Sequence, residues 1–352
     1  MGILVWLIII NVAVFVHELA HYLAARAQGV NVKAFSIGMG PILWRRDWKN
    51  TEWRVSLLPI GGYVDIDGLA PNQYDDQGRP IPPTHGFARL GYWGKFAVLF
   101  AGPLSNIILA VLIVGFAFLG QGKAILGERI QLGVQPASQA EKTGLRTNDF
   151  LLKINGQVVK DTDTVRAHLQ TNGQRIFTIE RAGKILEVKF DWTPTVFPEQ
   201  TRPKFGVSIG REARYEPMPI GEAFGQSATT LIGGIPQFIE AIVGGIFRTV
   251  TLQRDENLQG PVGAVSATAE VARQGFFPVL FLAGVINLSL GLFNLLPIPG
   301  LDGGRILLSS IVALRRKPFA PGQEEKINFA GFIFVMVFIL LVTVQDISKL
   351  VR

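Results

Sequence analysis

An apolar segment at the start of the chain runs directly into two histidines and a glutamate. No side chain before His17 carries a charge, and the motif His17-Glu18-Leu19-Ala20-His21 follows without a break. Because residues i and i+4 share one face of a helix, both imidazoles can bind one metal ion. Glu18 would then lie beside the open coordination position, where HExxH zinc sites have their general base. Ionisable groups are costly inside a membrane span and are usually functional there, so the motif indicates chemistry within a membrane.

The alternative interpretation is an HExxH pattern that arises by chance on a core helix of a soluble protein. Composition argues against it, because 48% of the residues are hydrophobic and only 17% are charged, which is typical of an integral membrane protein with a sizeable polar part. The chain has no cysteine, so any metal must be held by histidine and carboxylate groups. The net charge of +7 comes without a basic run interleaved with aromatics. Basic cytoplasmic loops explain it better than a nucleic-acid partner.

Four apolar segments are long enough to cross a bilayer, for which about 20 residues are needed. They are residues 1–24, 96–119, 276–301 and 327–344. A fifth segment, 223–247, contains several polar residues, and its pattern favours interfacial or amphipathic helices. Lys and Arg follow the first span, precede the second, and lie between the third and the fourth. These loops are therefore expected in the cytoplasm, and the long segment between the second and third spans is expected outside.

Two regions outside the spans have β character. Residues 32–37 and 52–58 are β-prone runs separated by glycines and prolines, and they predict a hairpin or small sheet that dips toward the motif. An ordinary cytoplasmic hairpin is the alternative. Residues 128–192 alternate strand and helix patterns with turn signals, and predict a compact α/β domain. A Pro-rich linker from residue 194 follows, with one more strand at 204–209.

A zinc site with two histidines needs a third protein ligand, which leaves one position for water. Asp302 is the candidate for this ligand. Prolines and paired glycines break the third span around it, at the point where a carboxylate has to turn toward the metal. The alternative is that Asp302 only caps the following helix. His17 lies about 24 Å along the first span at 1.5 Å per residue. It shares the depth of Asp302 only if the two spans run in the same direction, which requires four crossings and not five.

Five motifs follow one another along nearly the whole chain. They are His17 to His21, Gly61-Gly62-Tyr63-Val64, Gly102-Pro103-Leu104-Ser105-Asn106, Gly260-Pro261-Val262-Gly263 and Asn294 to Gly304. Their combination resembles the signature of bacterial site-2 proteases, a family of zinc intramembrane metalloproteases. Residues 140–145 and 148–156 make the inserted domain similar to a PDZ domain. One departure is Arg305, which stands where relatives commonly have a histidine.

The resemblance implies a zinc-dependent endopeptidase that cuts transmembrane segments of single-pass membrane proteins. These substrates would be pre-cleaved anti-sigma factors in regulated intramembrane proteolysis. The resemblance assigns one zinc ion per chain to His17, His21 and Asp302, and the role of general base to Glu18. The expected substrate-binding or supporting residues are Asn294, Asn106, Gly61 and Gly62. The chain is expected in the bacterial cytoplasmic (inner) membrane, in contact with the lipid bilayer, with its PDZ-like domain extracytoplasmic and no nucleic-acid partner.

The expected fold is a polytopic α-helical membrane protein with four transmembrane helices, a membrane-associated β-hairpin or sheet and an inserted α/β PDZ-like domain. The expected parts are the first span with HExxH (1–27), the β region (28–92), the second span (93–120), the PDZ-like domain (121–193), the linker with interfacial helices (194–275), the third span with the Asp-Gly-Gly motif (276–314), a cytoplasmic loop (315–326) and the fourth span (327–346). A membrane-anchored PDZ adaptor with a vestigial metal site is the alternative function. A metal transporter is disfavoured, because the second and fourth spans are uncharged.

Overall fold

The computed structural model describes residues 2–69, 73–74, 80–81, 85–135, 138–159, 161–193, 205–251, 260–320 and 322–350. The helices are α1 (Gly2–Ala27), α2 (Tyr92–Gln121), α3 (Gln139–Lys142), α4 (Thr162–Leu169), α5 (Ile220–Val250), α6 (Pro261–Gln274), α7 (Phe276–Asn294), α8 (Asp302–Arg315) and α9 (Gln323–Leu350). The strands are β1 (Val32–Trp48), β2 (Thr51–Ile66), β3 (Gln73–Tyr74), β4 (Pro80–Ile81), β5 (Lys123–Val134), β6 (Asp149–Ile154), β7 (Gln157–Val158), β8 (Gly173–Arg181), β9 (Lys184–Trp192) and β10 (Val207–Glu216). The chain forms two compact units: unit 1 comprises Met1–Gly120 and Met218–Arg352, and unit 2 comprises Gln121–Pro217.

Unit 1 contains the helices that can cross a membrane. Among the described residues, five helices are long and apolar enough by length and composition: α1, α2, α5, α7 and α9. Four of them coincide with the expected spans, and α5 takes the place of the expected interfacial helices. Large apolar side chains such as Leu4 and Ile8 on α1 and Leu340 on α9 are exposed. Because soluble monomers rarely expose such continuous apolar surface, this is the surface of a multi-pass membrane protein.

Helices α1 and α7 run in the same direction, antiparallel to α2. Contacts that move forward along α2 move backward along both other helices. On α1 these contacts are Val98 with His21 and Ser105 with Val16, and on α7 they are Pro103 with Gly291 and Val114 with Gly284. The end of α2 and the start of α7 therefore lie at the same end of the bundle, where Phe277 packs against Gly120. The histidines and Asp302 were expected at the same depth only if their two spans run in the same direction, and α1 and α7 do so.

Strands β1 and β2 form an antiparallel hairpin that packs against α1. Its turn at Lys49 and Asn50 has positive φ at both residues, 50° and 58°, as a type I′ hairpin turn requires. The first half of β1 is paired on both edges, so Ile37 lies opposite both Gly62 and Val55. Both strands are longer than the two predicted runs, because their pairing continues past Gly38 and Gly40 of β1.

Unit 2 is built around its own hydrophobic core. Its described strands form a six-stranded sheet in the order β10-β5-β6-β8-β9, with β7 on β6. Trp192, Phe177 and Leu145 are fully buried at its centre. The strand predicted at 204–209 begins later, at Val207, and its pairing with β5 continues to Glu216. The compact unit that contains this strand comprises Gln121–Pro217. Residues 194–204 of the predicted linker lie outside the described residues.

Candidate metal centre and catalytic site

Three side chains from two helices of unit 1 bring their donor atoms together. His17 and His21 lie one turn apart on α1, and their Nε2 atoms are 3.1 Å from each other. The Oδ2 atom of Asp302, at the start of α8, lies 3.1 Å from His17 Nε2 and 3.3 Å from His21 Nε2. Both histidines are buried, with 7% and 6% of their surface exposed. The three residues predicted from the sequence as a metal-binding group thus form one cluster.

The chain before Asp302 turns sharply so that its carboxylate reaches α1. Helix α7 ends at Asn294, and the hydrogen bond from the Leu301 N–H to the Ile298 carbonyl closes the turn that follows. Gly303 and Gly304 pack directly on the carbonyls of this turn, where a Cβ atom would collide. Leu301 occupies the N-cap position of α8 without a side-chain cap bond. The alternative in which Asp302 serves only as a helix cap is therefore wrong, because its carboxylate contacts the histidines.

The donor set fits zinc. Two imidazole nitrogens and a carboxylate oxygen are typical ligands of catalytic zinc, which keeps its fourth position open. Donor atoms bonded to one tetrahedral ion at 2.0–2.1 Å lie about 3.3 Å from one another. The three separations of 3.1, 3.1 and 3.3 Å are close to that value. The cluster can therefore hold a zinc ion without rearrangement of its helices.

Two groups on α2 orient the histidine rings. The Nδ1 atom of His21 lies 2.7 Å from the Val98 carbonyl oxygen and donates a hydrogen bond to it. The unprotonated Nε2 atom is then left with a lone pair that can bind a metal ion. The Nδ1 atom of His17 lies 3.4 Å from Nδ2 of Asn106, whose buried Oδ1 has no hydrogen-bond partner among the described residues. A half-turn of this amide exchanges its two ends and lets Oδ1 accept the Nδ1–H of His17. Both rings then present Nε2 to the same point.

Glu18 lies between the metal cluster and the β-hairpin. A Cβ atom on Gly62 of β2 would lie 3.8 Å from Cγ of Glu18 and 2.8 Å from the Ser36 carbonyl oxygen. Glycine at this position therefore lets β2 pass close to the backbone of β1, next to Glu18. The backbone N–H of Val64 is close enough to interact with the Glu18 carboxylate. The predicted site residue Gly62 thus adjoins the candidate base.

Two other predicted site residues, Gly61 and Asn294, have other surroundings in the structure. Gly61 has a φ of 81° and faces Met39 across the hairpin. A side chain there would be strained, so the glycine shapes the strand. Asn294 is the last residue of α7 and is half-buried. Among the described residues it makes no side-chain hydrogen bond to His17, His21 or Asp302.

Gly102 belongs to one of the five sequence motifs, but no role at the site was predicted for it. A Cβ atom at this position would lie 2.8 Å from Cε1 of His17 and still closer to Nε2 of His21. Real Cβ atoms essentially never approach so closely, so only glycine lets α2 pass over both rings. The signal available in the sequence is the Gly102-Pro103 pair inside an otherwise apolar helix. Pro103 also lacks an N–H, so the carbonyl one turn before it loses its helical partner.

Comparison with known proteins agrees with this site. Residues 5–338 match the family described as peptidase family M50. A Campylobacter jejuni protein named as a zinc metalloprotease is 32% identical over 98% of this chain and 92% of its own length. A Rhizobium meliloti protein with a similar name is 30% identical over 98% of this chain and 96% of its own length. An Enterococcus faecalis protein named as a protease is 27% identical over 99% of each chain.

Proposed function

We propose that this chain, which belongs to peptidase family M50, the site-2 proteases, and is a zinc metalloprotease, cuts peptide bonds inside the transmembrane segments of single-pass membrane proteins. The observation that carries the proposal is the position of the donor cluster. His17 and His21 lie in α1, which is long and apolar enough to cross a membrane, and Asp302 reaches them from the start of α8, which follows a second such helix, α7. A substrate must therefore enter the helical bundle to reach the cluster.

In the proposed mechanism His17, His21 and Asp302 hold one zinc ion through the three clustered atoms. When bound, zinc supplies a Lewis acid that lowers the pKa of water toward about 7 and polarises a carbonyl oxygen. Glu18 accepts the proton of the attacking water and passes it to the leaving amide nitrogen. The Val98 carbonyl and Asn106 keep both imidazoles in the orientation that this arrangement needs.

The substrate helix must unwind, because a helix keeps its carbonyls in i to i+4 hydrogen bonds. An exposed strand edge replaces those bonds when an extended peptide pairs with it. Strand β2 carries Gly62 beside Glu18. We assign the stretch around Gly61 and Gly62 to this pairing, with Asn294 as a further substrate contact.

In the proposed topology four helices cross the bacterial inner membrane and α5 does not complete a crossing. The parallel direction of α1 and α7 supports this, since the chain between α2 and α7 returns to the end of the bundle that it left. Unit 2 then lies outside as a PDZ-like domain. Because none of the candidate catalytic residues lies in unit 2, its role is to select substrates. Anti-sigma factors already shortened outside the membrane are the proposed substrate class.

The test is co-expression with a panel of single-pass membrane proteins from the same genome, with wild-type enzyme and Glu18→Gln compared. We expect at least one panel member to be shortened within its apolar segment by the wild type and left intact by the variant. Equal cleavage by the wild type and by Glu18→Gln would contradict the proposed mechanism. A Lys317→Met variant, altered in an exposed loop, controls for expression level.

A further inference from the structure

A cavity of about 640 Å³ lies in unit 1, and its lining does not include His17, His21 or Asp302. It is enclosed by the first turns of α2 and α9, one face of α8 and the segment that joins α8 to α9. Its volume is in the range of cavities that bind small molecules, about 300–1,000 Å³. Apolar side chains such as Leu99 and Val312 form one part of its wall, and charged side chains form another. The cavity is therefore amphipathic.

The charges in this wall are two cations and two carboxylates that do not pair directly. Lys95 of α2 and Arg305 of α8 line the cavity together with Glu324 and Glu325 of α9. In the part of the chain that the structure describes, neither cation has a carboxylate oxygen within 4.0 Å, and the Lys95 ammonium instead faces the Phe87 ring at 5.9 Å. Both cations are nevertheless near enough to act on the charge of Glu324. The cavity is thus lined by charges of both signs, with no direct ion pair between them among the described residues.

The surroundings of the cavity have the features of a membrane interface. Trp93, next to the cavity-lining Tyr92, is 73% exposed, and Leu314 at the end of α8 is 83% exposed. Residues 315–317 are three consecutive basic residues. Aromatic side chains and basic residues concentrate where lipid headgroups meet the hydrocarbon core. A ligand of this cavity is therefore most readily supplied by the membrane itself.

We propose that the cavity binds the headgroup of a zwitterionic phospholipid of the phosphatidylethanolamine type. Its phosphate lies between Lys95 and Arg305, and its ammonium faces Glu324 and Glu325. The glycerol and upper acyl carbons contact the apolar wall around Leu99. Such a ligand matches both pairs of charges, whereas an anionic headgroup without an amine would leave the two carboxylates unmatched.

The bound lipid connects α8 with α2 and α9. Arg305 lies one turn after Asp302, so the headgroup anchors the helix that begins with this carboxylate. Lipid binding to the folded chain alone raises its unfolding temperature by mass action. The site is separate from peptide hydrolysis, and its existence does not depend on the proposed substrate class.

The test is native mass spectrometry of the full-length zinc-loaded chain in detergent with equal amounts of phosphatidylethanolamine and phosphatidylglycerol. The wild type is expected to retain one phosphatidylethanolamine in preference to phosphatidylglycerol. The double variant Lys95→Met/Arg305→Met is expected to retain roughly tenfold less of it. The double variant Glu324→Gln/Glu325→Gln is expected to lose the preference and bind phosphatidylglycerol at least as well.

Lys317→Met is the matched control, since it removes a positive charge from the same loop without lining the cavity. Its lipid retention should equal that of the wild type. Zinc content reports whether each variant is folded, and if the cation variant lacks zinc, the carboxylate variant decides alone. Equal retention of both lipids by the wild type, unchanged in the carboxylate variant, would overturn the proposal. So would binding of inorganic phosphate without retention of phosphatidylethanolamine.

Discussion

The two units bury polar side chains for different purposes. In unit 2, buried Asp149 is matched by its neighbours, because it accepts hydrogen bonds from the Arg181 guanidinium at 2.7 Å and from the Arg146 N–H at 2.8 Å. In unit 1, the buried histidines hold their Nε2 atoms toward one point, beside the Oδ2 atom of Asp302. Full matching stabilises a fold, whereas donor atoms left free are available to a ligand.

This difference between the buried polar groups implies that substitutions in the two units affect different properties of the protein. Unit 2 has its own core of buried aromatic and aliphatic residues. Unit 1 exposes many large apolar side chains, and its buried polar groups include the two histidines of the donor cluster and Asn106 beside them. Polar substitutions near the cluster are therefore expected to change zinc binding and turnover. Comparable substitutions in unit 2 are expected to change the free energy of unfolding of that unit alone.

The largest expected effect is that of Asp302→Ala. Two imidazoles alone leave the zinc site short of a ligand, so we expect the purified variant to lose most of its zinc and all measurable peptidase activity. Metal analysis by mass spectrometry measures the first quantity. Asp65→Ala, which removes an exposed carboxylate of the same unit, should keep its zinc. Normal zinc content in the Asp302 variant would show that another residue completes the site.

Glu18→Gln is expected to separate zinc binding from hydrolysis. The three ligands remain, so zinc content should equal that of the wild type, while loss of the general base lowers kcat about a thousandfold. Zinc content and turnover are measured on the same preparation. Turnover within a few-fold of the wild type would remove Glu18 from the mechanism.

Asn106→Leu tests the orientation of His17. Removal of the acceptor for Nδ1–H is expected to weaken zinc affinity about 10- to 100-fold, as for other groups that support metal ligands. Asn106→Asp is the matched control, since it keeps an acceptor and should retain most of the affinity. Competition with a chelator of known affinity measures both variants. Equal zinc affinity of the leucine variant and the wild type would contradict the proposed role of the amide.

Asp149→Ala tests the buried carboxylate of unit 2, whose hydrogen bonds are all made within that unit. Loss of its carboxylate leaves Arg181 without its partner and is expected to lower the unfolding free energy of unit 2 by about 2 kcal/mol, less than for a fully buried pair because Arg181 is partly exposed. Zinc content and turnover should not change. Asp163→Ala, at a highly exposed carboxylate, should shift stability by less than about 0.5 kcal/mol. Zinc loss in the Asp149 variant would show that the two units are coupled.

The local parts of the site could be predicted from the sequence. The spacing of His17 and His21 is set by one helical turn, and Asp302 follows from the prolines and paired glycines that break the third span. The groups that orient the rings could not, because Val98 is 77 residues from His21 and Asn106 is 89 residues from His17. No periodicity in a single sequence encodes such pairs. The double pairing of β1 is equally non-local.

The extent of α5 shows why polar residues in an apolar segment are ambiguous. The polar residues in 223–247 favoured interfacial helices, but this segment lies within one helix of 31 residues. Ser227 is fully buried and donates a hydrogen bond to the Val111 carbonyl of α2. At least part of the polar pattern therefore comes from helix packing, which hydrogen bonds between helices stabilise in a bilayer.

The central claim, hydrolysis at this site within the membrane, is tested most directly by locating the cut. Purified enzyme and a single-pass substrate are reconstituted together in liposomes, and the product ends are determined by mass spectrometry. We predict new ends inside the apolar segment of the substrate, formed by the wild type and not by Glu18→Gln. Product ends only in the soluble regions, with the apolar segment intact, would contradict the claim.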